Sequence, residues 1–301
     1  MASSEFHDFQ RRMAAMPSAP PAASIVELRA RIEAAMAPLP LADGVVAENL
    51  ELDGVPAVLC QMADSSPDDP WFLYFHGGGY RICSAQSYKA HGSQLARACK
   101  SKVLLVDYRL APEHPFPAAV EDTLVAYRWL LRSGVPAKNV VVGGDSAGGG
   151  LTAAFLLAAR DEGEPLPAGG LCLSGWLDLT NSSPSFQRNA ETDLLFSAAI
   201  ASEASLQYLQ GQDPRNPWVS PVYGDWSGMC PLLIICGGTE VLEDDSARLA
   251  AAARDAGVEV QHKVYPEMPH VWQTHYPAFP EAIAAVEQMA TFIRSVTAEK
   301  S

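Results

Sequence analysis

Basic residues are in short supply. Lys and Arg number 21 against 35 Asp and Glu, a formal net charge of −14, and a chain of that sign is repelled by polyanionic nucleic acid. Paired cysteines are also missing. The six cysteines (Cys60, Cys83, Cys99, Cys172, Cys230 and Cys236) include no Cys-x-x-Cys, so the spacing argues against zinc ligation and against a disulfide framework. Cys172 and Cys236 lie in apolar, strand-like runs, where a thiol behaves as a small buried hydrophobe. No apolar run reaches the length of a bilayer span. The N-terminus lacks a basic-then-apolar leader pattern, and residues 16–22 are interrupted by three prolines. No internal repeat is evident. These absences place the chain in the cytoplasm with reduced thiols, no membrane span and no nucleic-acid partner.

What remains is an ordinary globular composition, 48% hydrophobic and 19% charged over 301 residues, enough chain for a sizeable core. Its organising stretch is residues 140–150, Val-Val-Val-Gly-Gly-Asp-Ser-Ala-Gly-Gly-Gly. A β-branched run ends in glycines, presents Ser146, and passes through more glycines into the Ala- and Leu-rich residues 151–160, which read as a helix. Gly144-Asp145-Ser146-Ala147-Gly148 matches Gly-x-Ser-x-Gly. A strand that turns at once into a helix crowds its own backbone, and glycines relieve that crowding. The serine at the tip is held in a strained conformation with its hydroxyl exposed, ahead of a helix N-terminus whose free N–H groups face developing negative charge.

Along the chain, 24–37 reads as a helix capped by Ser24, with Glu27 three residues on and Ile25, Leu28, Ile32 and Met36 on one face. Standing before any strand, it either packs on a sheet edge or covers something. Residues 45–52 and 55–62 form a hairpin about Asp53-Gly54. Strands at 71–76, 102–108, 139–144, 170–176, 232–237 and 258–264 then alternate with helices at 86–99, 117–132, 151–160, 243–256 and 278–296. That rhythm gives an eight-stranded, mostly parallel sheet flanked by helices, with reactive groups at the carboxyl ends of its strands. Residues 177–228, carrying Pro184, Pro214, Pro217 and Pro221 and a helix-like 197–210, break the rhythm as a functional insertion or lid does.

His76-Gly77-Gly78-Gly79 follows directly on the strand at 71. A phosphate loop would follow its last glycine with Lys and then Ser or Thr. Here Tyr80-Arg81 follows, so an oxyanion hole is the better reading, with the N–H groups of Gly77, Gly78 and Ala147 as donors. A serine nucleophile needs a histidine downstream. His262 lies inside a strand pattern, while His270 and His275 lie in the loop after it. His270 is nearest the strand end and flanked by prolines. The orienting acid should follow the strand at 232–237. Glu243, Asp244 and Asp245 open a helix and suit its dipole there, and Glu240, before that helix, is best placed for the imidazole. Tyr80, Trp176, Phe196, Tyr208 and Trp218 are candidate pocket walls.

With these residues on the page, the chain resembles the hormone-sensitive lipase family of α/β-hydrolases, bacterial esterases with a helical cap. The resemblance rests on His76–Gly79, on Gly-Asp-Ser-Ala-Gly-Gly at 144–149, and on Asp-Tyr-Arg-Leu-Ala-Pro-Glu-His-Pro-Phe-Pro-Ala at 107–118. It implies an α/β-hydrolase fold, Ser146 as nucleophile, His270 as base, and Gly77, Gly78 and Ala147 as oxyanion donors. The family's Asp-Pro-Leu-x-Asp-Glu appears here as Glu240-Val241-Leu242-Glu243-Asp244-Asp245, which implies Glu240 as the acid with Asp244 as its rival. A cap of residues 1–44 and 181–228 over a catalytic domain of 45–180 and 229–301 is implied as well. Arg109, Glu113 and His114 are expected to form a network supporting the serine turn. The expected substrate is a small ester with an acyl chain of about two to eight carbons, hydrolysed without metal or cofactor. Amidase, deacetylase or acyltransferase chemistry would use the same machinery. The plant gibberellin receptors, which resemble the family but lack the catalytic histidine, represent a non-catalytic alternative. Some relatives pair through the last edge strand, and a homodimer of that kind is an expectation here.

Overall fold

The computed structural model describes residues 1–16, 20 and 22–298; Pro17 and Pro21, two of the three prolines noted above, lie outside the described residues. Two helices come first, α1 (Ser4–Ala14) and α2 (Ile25–Met36), then the hairpin β1 (Val45–Leu52) and β2 (Val55–Met62). The alternating body follows: β3 (Trp71–Phe75), α3 (Lys89–Cys99), β4 (Lys102–Val106), α4 (Ala118–Arg132), β5 (Val140–Asp145), α5 (Ala147–Asp161) and β6 (Gly169–Leu173). The irregular stretch holds a short α6 (Ser185–Arg188) and α7 (Ala198–Leu209). The chain closes with β7 (Leu232–Gly237), α8 (Glu243–Asp255), β8 (Val260–Tyr265) and α9 (Pro280–Thr297).

The eight strands form one sheet in the order β1-β2-β4-β3-β5-β6-β7-β8. β1, β2 and β4 pair antiparallel and every other pairing is parallel. Alternate strand residues face opposite layers. Leu73, Phe75, Val140 and Val142 pack with α4, α5 and α8, while Phe72, Tyr74 and Val141 pack with α1, α3 and α9. Because β4, β3, β5, β6, β7 and β8 are parallel neighbours, their carboxyl ends share one rim, and the six chain segments that leave them start there.

Three elements differ from the sequence reading. α1 was not expected, since only Phe6 of its residues is buried. It is held by Ser3, which caps Phe6 N–H at 3.1 Å, and by Phe6 and Phe9 packing on the Phe279 ring, 5.1 Å between centroids in each pair. α5 begins at Ala147 rather than 151, so the glycines expected to form a turn lie in its first turn. A Cβ on Gly148 would fall 2.0 Å from the Phe75 carbonyl; only glycine lets the helix start so close to β3. The third is the segment 107–118. Arg109 binds Asp122 and Glu121, Glu113 binds Arg29, and His114 is exposed, so none of the three supports the serine turn. Instead, neighbouring Tyr108 donates to the His76 carbonyl at 2.7 Å and Asp107 accepts from Ala85 N–H at 3.0 Å, bracing the glycine loop.

α2 buries none of its residues. It is attached through Arg29, which donates to the carbonyls of Arg81 (2.6 Å) and Ala111 (2.7 Å) and grips Glu113 with two bonds of 2.8 Å, and through Glu33, which accepts the Ser84 hydroxyl at 2.5 Å. The Arg81 guanidinium in turn reaches Glu203 and Gln207 of α7, at 2.9 and 3.3 Å.

Candidate active site

Ser146 stands between β5 and α5 with φ 54° and ψ −121°, a left-handed conformation that costs a non-glycine residue on the order of 1–3 kcal/mol and persists where surrounding contacts fix it. Leu173 O accepts its N–H at 2.9 Å, and its own carbonyl accepts from Trp176 N–H at 2.9 Å. Its hydroxyl lies 2.9 Å from His270 Nε2, and His270 Nδ1 lies 2.8 Å from Glu240 Oε2. The three loops expected to meet do so. Glu240 is fully buried and His270 and Ser146 are nearly so. His262 stays on β8, and His275 faces the Phe9 ring at 4.8 Å.

Burial by itself would depress the His270 imidazole, but the hydrogen bond and charge of Glu240, reinforced by the charges of Asp193 and Asp145, outweigh it and hold its pKa above the usual histidine value. Asp244, the rival acid, is committed elsewhere: it pairs with Arg188 at 2.8 Å and accepts Ser185 N–H at 2.8 Å. Glu243 also binds Arg188. Asp245 is buried beneath 177–183, accepting from Leu177 N–H (3.1 Å), Asp178 N–H (3.0 Å) and the Ser183 hydroxyl.

One residue escaped the sequence reading. Ser174, at the end of β6, is fully buried with φ 47°. Its hydroxyl donates to Glu240 Oε1 at 2.7 Å and accepts Val271 N–H at 3.3 Å. Gly237 N–H also donates to Oε1, at 2.6 Å. The longer glutamate side chain is thus folded back over its own strand end and pinned on one oxygen, leaving the other for His270. The sequence reading ran this strand on to 176, past its end at Leu173, and the only signal was a polar residue interrupting the apolar run.

One of the expected oxyanion donors, Gly77, has its N–H engaged elsewhere. Gly77 N–H is taken up by Tyr88 Oη at 3.2 Å, and that hydroxyl donates to buried Asp145 at 2.8 Å. Gly77, expected as a donor, therefore already has an acceptor for its N–H. Gly78, with φ 114°, and Gly79, with φ 61°, have no hydrogen-bond acceptor for their N–H groups among the described residues, and Ala147 N–H is an orphan at the start of α5. The loop is further fixed by the His76 ring, whose Nδ1 donates to Gly77 O at 2.8 Å and which stacks 4.3 Å from Tyr108.

Four of the five expected pocket aromatics come together as a packed wall. Tyr80 stacks on Tyr208 at 4.0 Å, Trp176 meets Phe196 at 5.3 Å, and Phe196 stacks on His270 at 5.7 Å. Trp218 does not join them. Its indole donates to Asp161 at the far end of α5, about 20 Å along the helix from Ser146. A cavity of about 680 Å³ lies between α2, α3 and the turn after His270. Among the described residues no cluster of three or more His, Cys, Asp or Glu side chains could hold a metal ion, and no helix is long and apolar enough to cross a membrane.

A strained serine between strand and helix, with a histidine and a buried carboxylate in line with it, on a mostly parallel sheet is the arrangement of an α/β-hydrolase. Residues 72–274 match the α/β-hydrolase fold family. The chain belongs to that family, in its hormone-sensitive lipase branch, and is an ester-hydrolysing enzyme. It is 44% identical over 232 residues to an acetyl-hydrolase of Streptomyces hygroscopicus, covering 77% of this chain and 78% of that one. It is 35% identical over 225 residues to an esterase of Acinetobacter venetianus, covering 74% of each. Its fold superposes, with TM-score 0.90 and 42% identity, on the crystal structure of an esterase from the bacterial hormone-sensitive lipase family, covering 99% of this chain and 100% of that one.

Proposed function

We propose that the protein is a serine carboxylesterase acting on short- to medium-chain acyl esters through a Ser146–His270–Glu240 triad and an acyl-enzyme. The observation that carries this reading is the continuous row from Glu240 through His270 to the Ser146 hydroxyl, with contacts of 2.8 and 2.9 Å. His270 Nε2 takes the serine proton as Oγ attacks the ester carbonyl. Glu240 holds the tautomer that leaves Nε2 free to do so and stabilises the imidazolium. The tetrahedral oxyanion is received by the N–H groups of Gly78, Gly79 and Ala147. His270 then protonates the departing alcohol, and water repeats the sequence on the acyl-enzyme. No step calls for a metal or cofactor.

In the same reading, residues 1–44 and 181–228 are two cap segments over a catalytic domain of 45–180 and 229–301. The enzyme works in the cytoplasm, in keeping with six unpaired thiols. β8, the outermost strand at its end of the sheet, offers an edge for pairing with a second copy, which size-exclusion chromatography would detect as a dimer.

Ser146→Ala should abolish hydrolysis of p-nitrophenyl butyrate while the melting temperature stays near wild type, and a serine-directed fluorophosphonate should label Ser146 alone. Turnover in the alanine variant would end the reading.

A further inference from the structure

The irregular segment between β6 and β7 takes hold of the loop that carries Glu240. From Ser185 to Asp193 its side chains bind that loop's backbone group by group. The Asn189 amide donates to the Glu240 carbonyl at 2.6 Å and to the Gly238 carbonyl at 3.4 Å. The Thr192 hydroxyl donates to the Thr239 carbonyl at 3.0 Å, and the Ser185 hydroxyl to the Val241 carbonyl at 2.5 Å. Asp193 Oδ2 accepts Val241 N–H at 3.0 Å. Asn189 and Asp193 are both buried, so losing either partner leaves a polar group of the acid loop unpaired away from water.

Asp193 also acts in the other direction along its own segment. Its Oδ1 accepts Leu195 N–H at 3.1 Å and Phe196 N–H at 2.9 Å, a local carboxylate-bound turn that leaves Leu194 and Leu195 exposed and Phe196 buried. The Phe196 ring lies stacked 5.7 Å from the His270 imidazole. One carboxylate thus holds both the residue after the acid and the ring beside the base. Its charge reaches His270 as well. There it joins Glu240, which faces Nδ1, and the buried Asp145 in holding the imidazole's pKa up against burial.

We propose that Asp193 is a positioning residue of the hydrolase: supplied by the inserted segment, its carboxylate keeps Glu240 and the Phe196 ring in register with His270. The proposal rests on the triad reading above. It makes the first part of the insertion, 185–196, a fixed bracket of the catalytic centre, with α7 following it as a separate piece. Without the carboxylate, Val241 N–H loses its acceptor, the Glu240 loop gains freedom, and the imidazole loses one of its negative neighbours.

Asp193→Asn is the test, because it keeps the size of the side chain. Its single oxygen can stay under the Leu195 and Phe196 N–H groups, which sets its NH₂ against Val241 N–H. On p-nitrophenyl butyrate, kcat should fall about 10- to 100-fold with KM little changed. The acid limb of kcat/KM should move to lower pH, since removing a negative charge disfavours the imidazolium. Glu191→Gln, an exposed carboxylate in the same segment, should do neither; equal shifts in the two variants would reduce the effect to net charge and refute the role. In the Glu240→Gln background the Asp193→Asn loss should shrink, because the group it positions is already disabled. A loss of activity with the acid limb unmoved would mark a purely structural contact and also refute the role. A folded Asp193→Asn enzyme with kcat and acid limb unchanged, beside a crippled Glu240→Gln enzyme, overturns this inference alone. A Glu240→Gln enzyme of wild-type activity overturns the triad reading with it. Should Asp193→Asn fail to fold, hydrogen exchange on the wild-type protein decides. Residues 189–193 should open together with 238–241, and free exchange of the first while the second stays protected would overturn the bracket.

Discussion

Replacing Glu240 by glutamine probes the site most directly, because it preserves shape and removes only charge and one acceptor. The native carboxylate accepts Ser174 Oγ and Gly237 N–H on Oε1 and faces His270 Nδ1 with Oε2. A glutamine has one oxygen. If its NH₂ occupied the Oε1 position it would oppose the Gly237 N–H, leaving a buried donor unpaired at about 1–3 kcal/mol. The oxygen therefore stays under Gly237 and Ser174, and the NH₂ points at His270 Nδ1. The imidazole must then accept there and carry its proton on Nε2, aimed at the Ser146 hydroxyl it should deprotonate. A base in the wrong tautomer costs on the order of 10³–10⁴ in kcat, about 4–5.5 kcal/mol of transition-state stabilisation. Steady-state kinetics on p-nitrophenyl butyrate should show that loss in kcat, with KM little changed and the melting temperature close to wild type. The pH profile adds a second readout. In wild type, kcat/KM falls on the acid side as His270 protonates, at a pKa above the usual histidine value because Glu240 outweighs burial. With the charge removed, burial dominates and that limb moves to lower pH. Asp244→Asn, which breaks a half-exposed pair with Arg188, should change kcat by no more than a few-fold. A Glu240→Gln enzyme within tenfold of wild type, or an Asp244→Asn enzyme equally damaged, would refute the assignment of the acid.

Ser174→Ala removes a donor to Glu240 and the acceptor for Val271 N–H. It should lower kcat about 10- to 100-fold with little change in KM, and the loss should vanish in the Glu240→Gln background if Ser174 acts through that carboxylate. Tyr88→Phe leaves Gly77 N–H unpaired and deprives buried Asp145 of one donor. A destabilisation of about 2–4 kcal/mol in urea melts is expected, with a slower acylation step. Burial raises the Asp245 carboxyl to about 7 despite its Ser183 bond. The folded state therefore holds a proton that the unfolded chain has released, and stability declines as pH rises from about 4 to about 7. Asp245→Asn should remove that slope, so its melting temperature gains on wild type as the buffer goes from about pH 5 to about pH 8. A constant difference across that range would refute the shift.

Where one strand supplied both pattern and punctuation, its limits were legible. The hairpin was read to the residue because two β-branched runs flank Asp53-Gly54, and both turn residues do adopt positive φ. β7 was read to the residue as an unbroken apolar run. The meeting of Ser146, His270 and Glu240 was legible because parallel strands deliver their following loops to one rim, so order along the chain limits which residues can meet. What failed depended on contacts between segments far apart. Three identical glycines cannot reveal which N–H is occupied; that is decided by Tyr88, on a different element. Gly148 to Gly150 read as helix breakers because their closeness to β3 and to Trp176 is invisible locally. α1 has almost no buried face, and its stability comes from Phe279, hundreds of residues later. Trp218 looked like a pocket wall by type alone, and its Asp161 bond places it at the other end of α5.

The paired grips of Arg29 and Arg81 carry a mechanical consequence. α2 is held by the carbonyl of residue 81, and α7 is tethered by the side chain of that same residue, two positions beyond Gly79. Under the proposed function, a tilt of either helix as an ester enters or an acid departs would pull on the one short run of backbone that follows Gly79. On that reading, lifting the cover and disturbing the proposed oxyanion donors are coupled through Arg81.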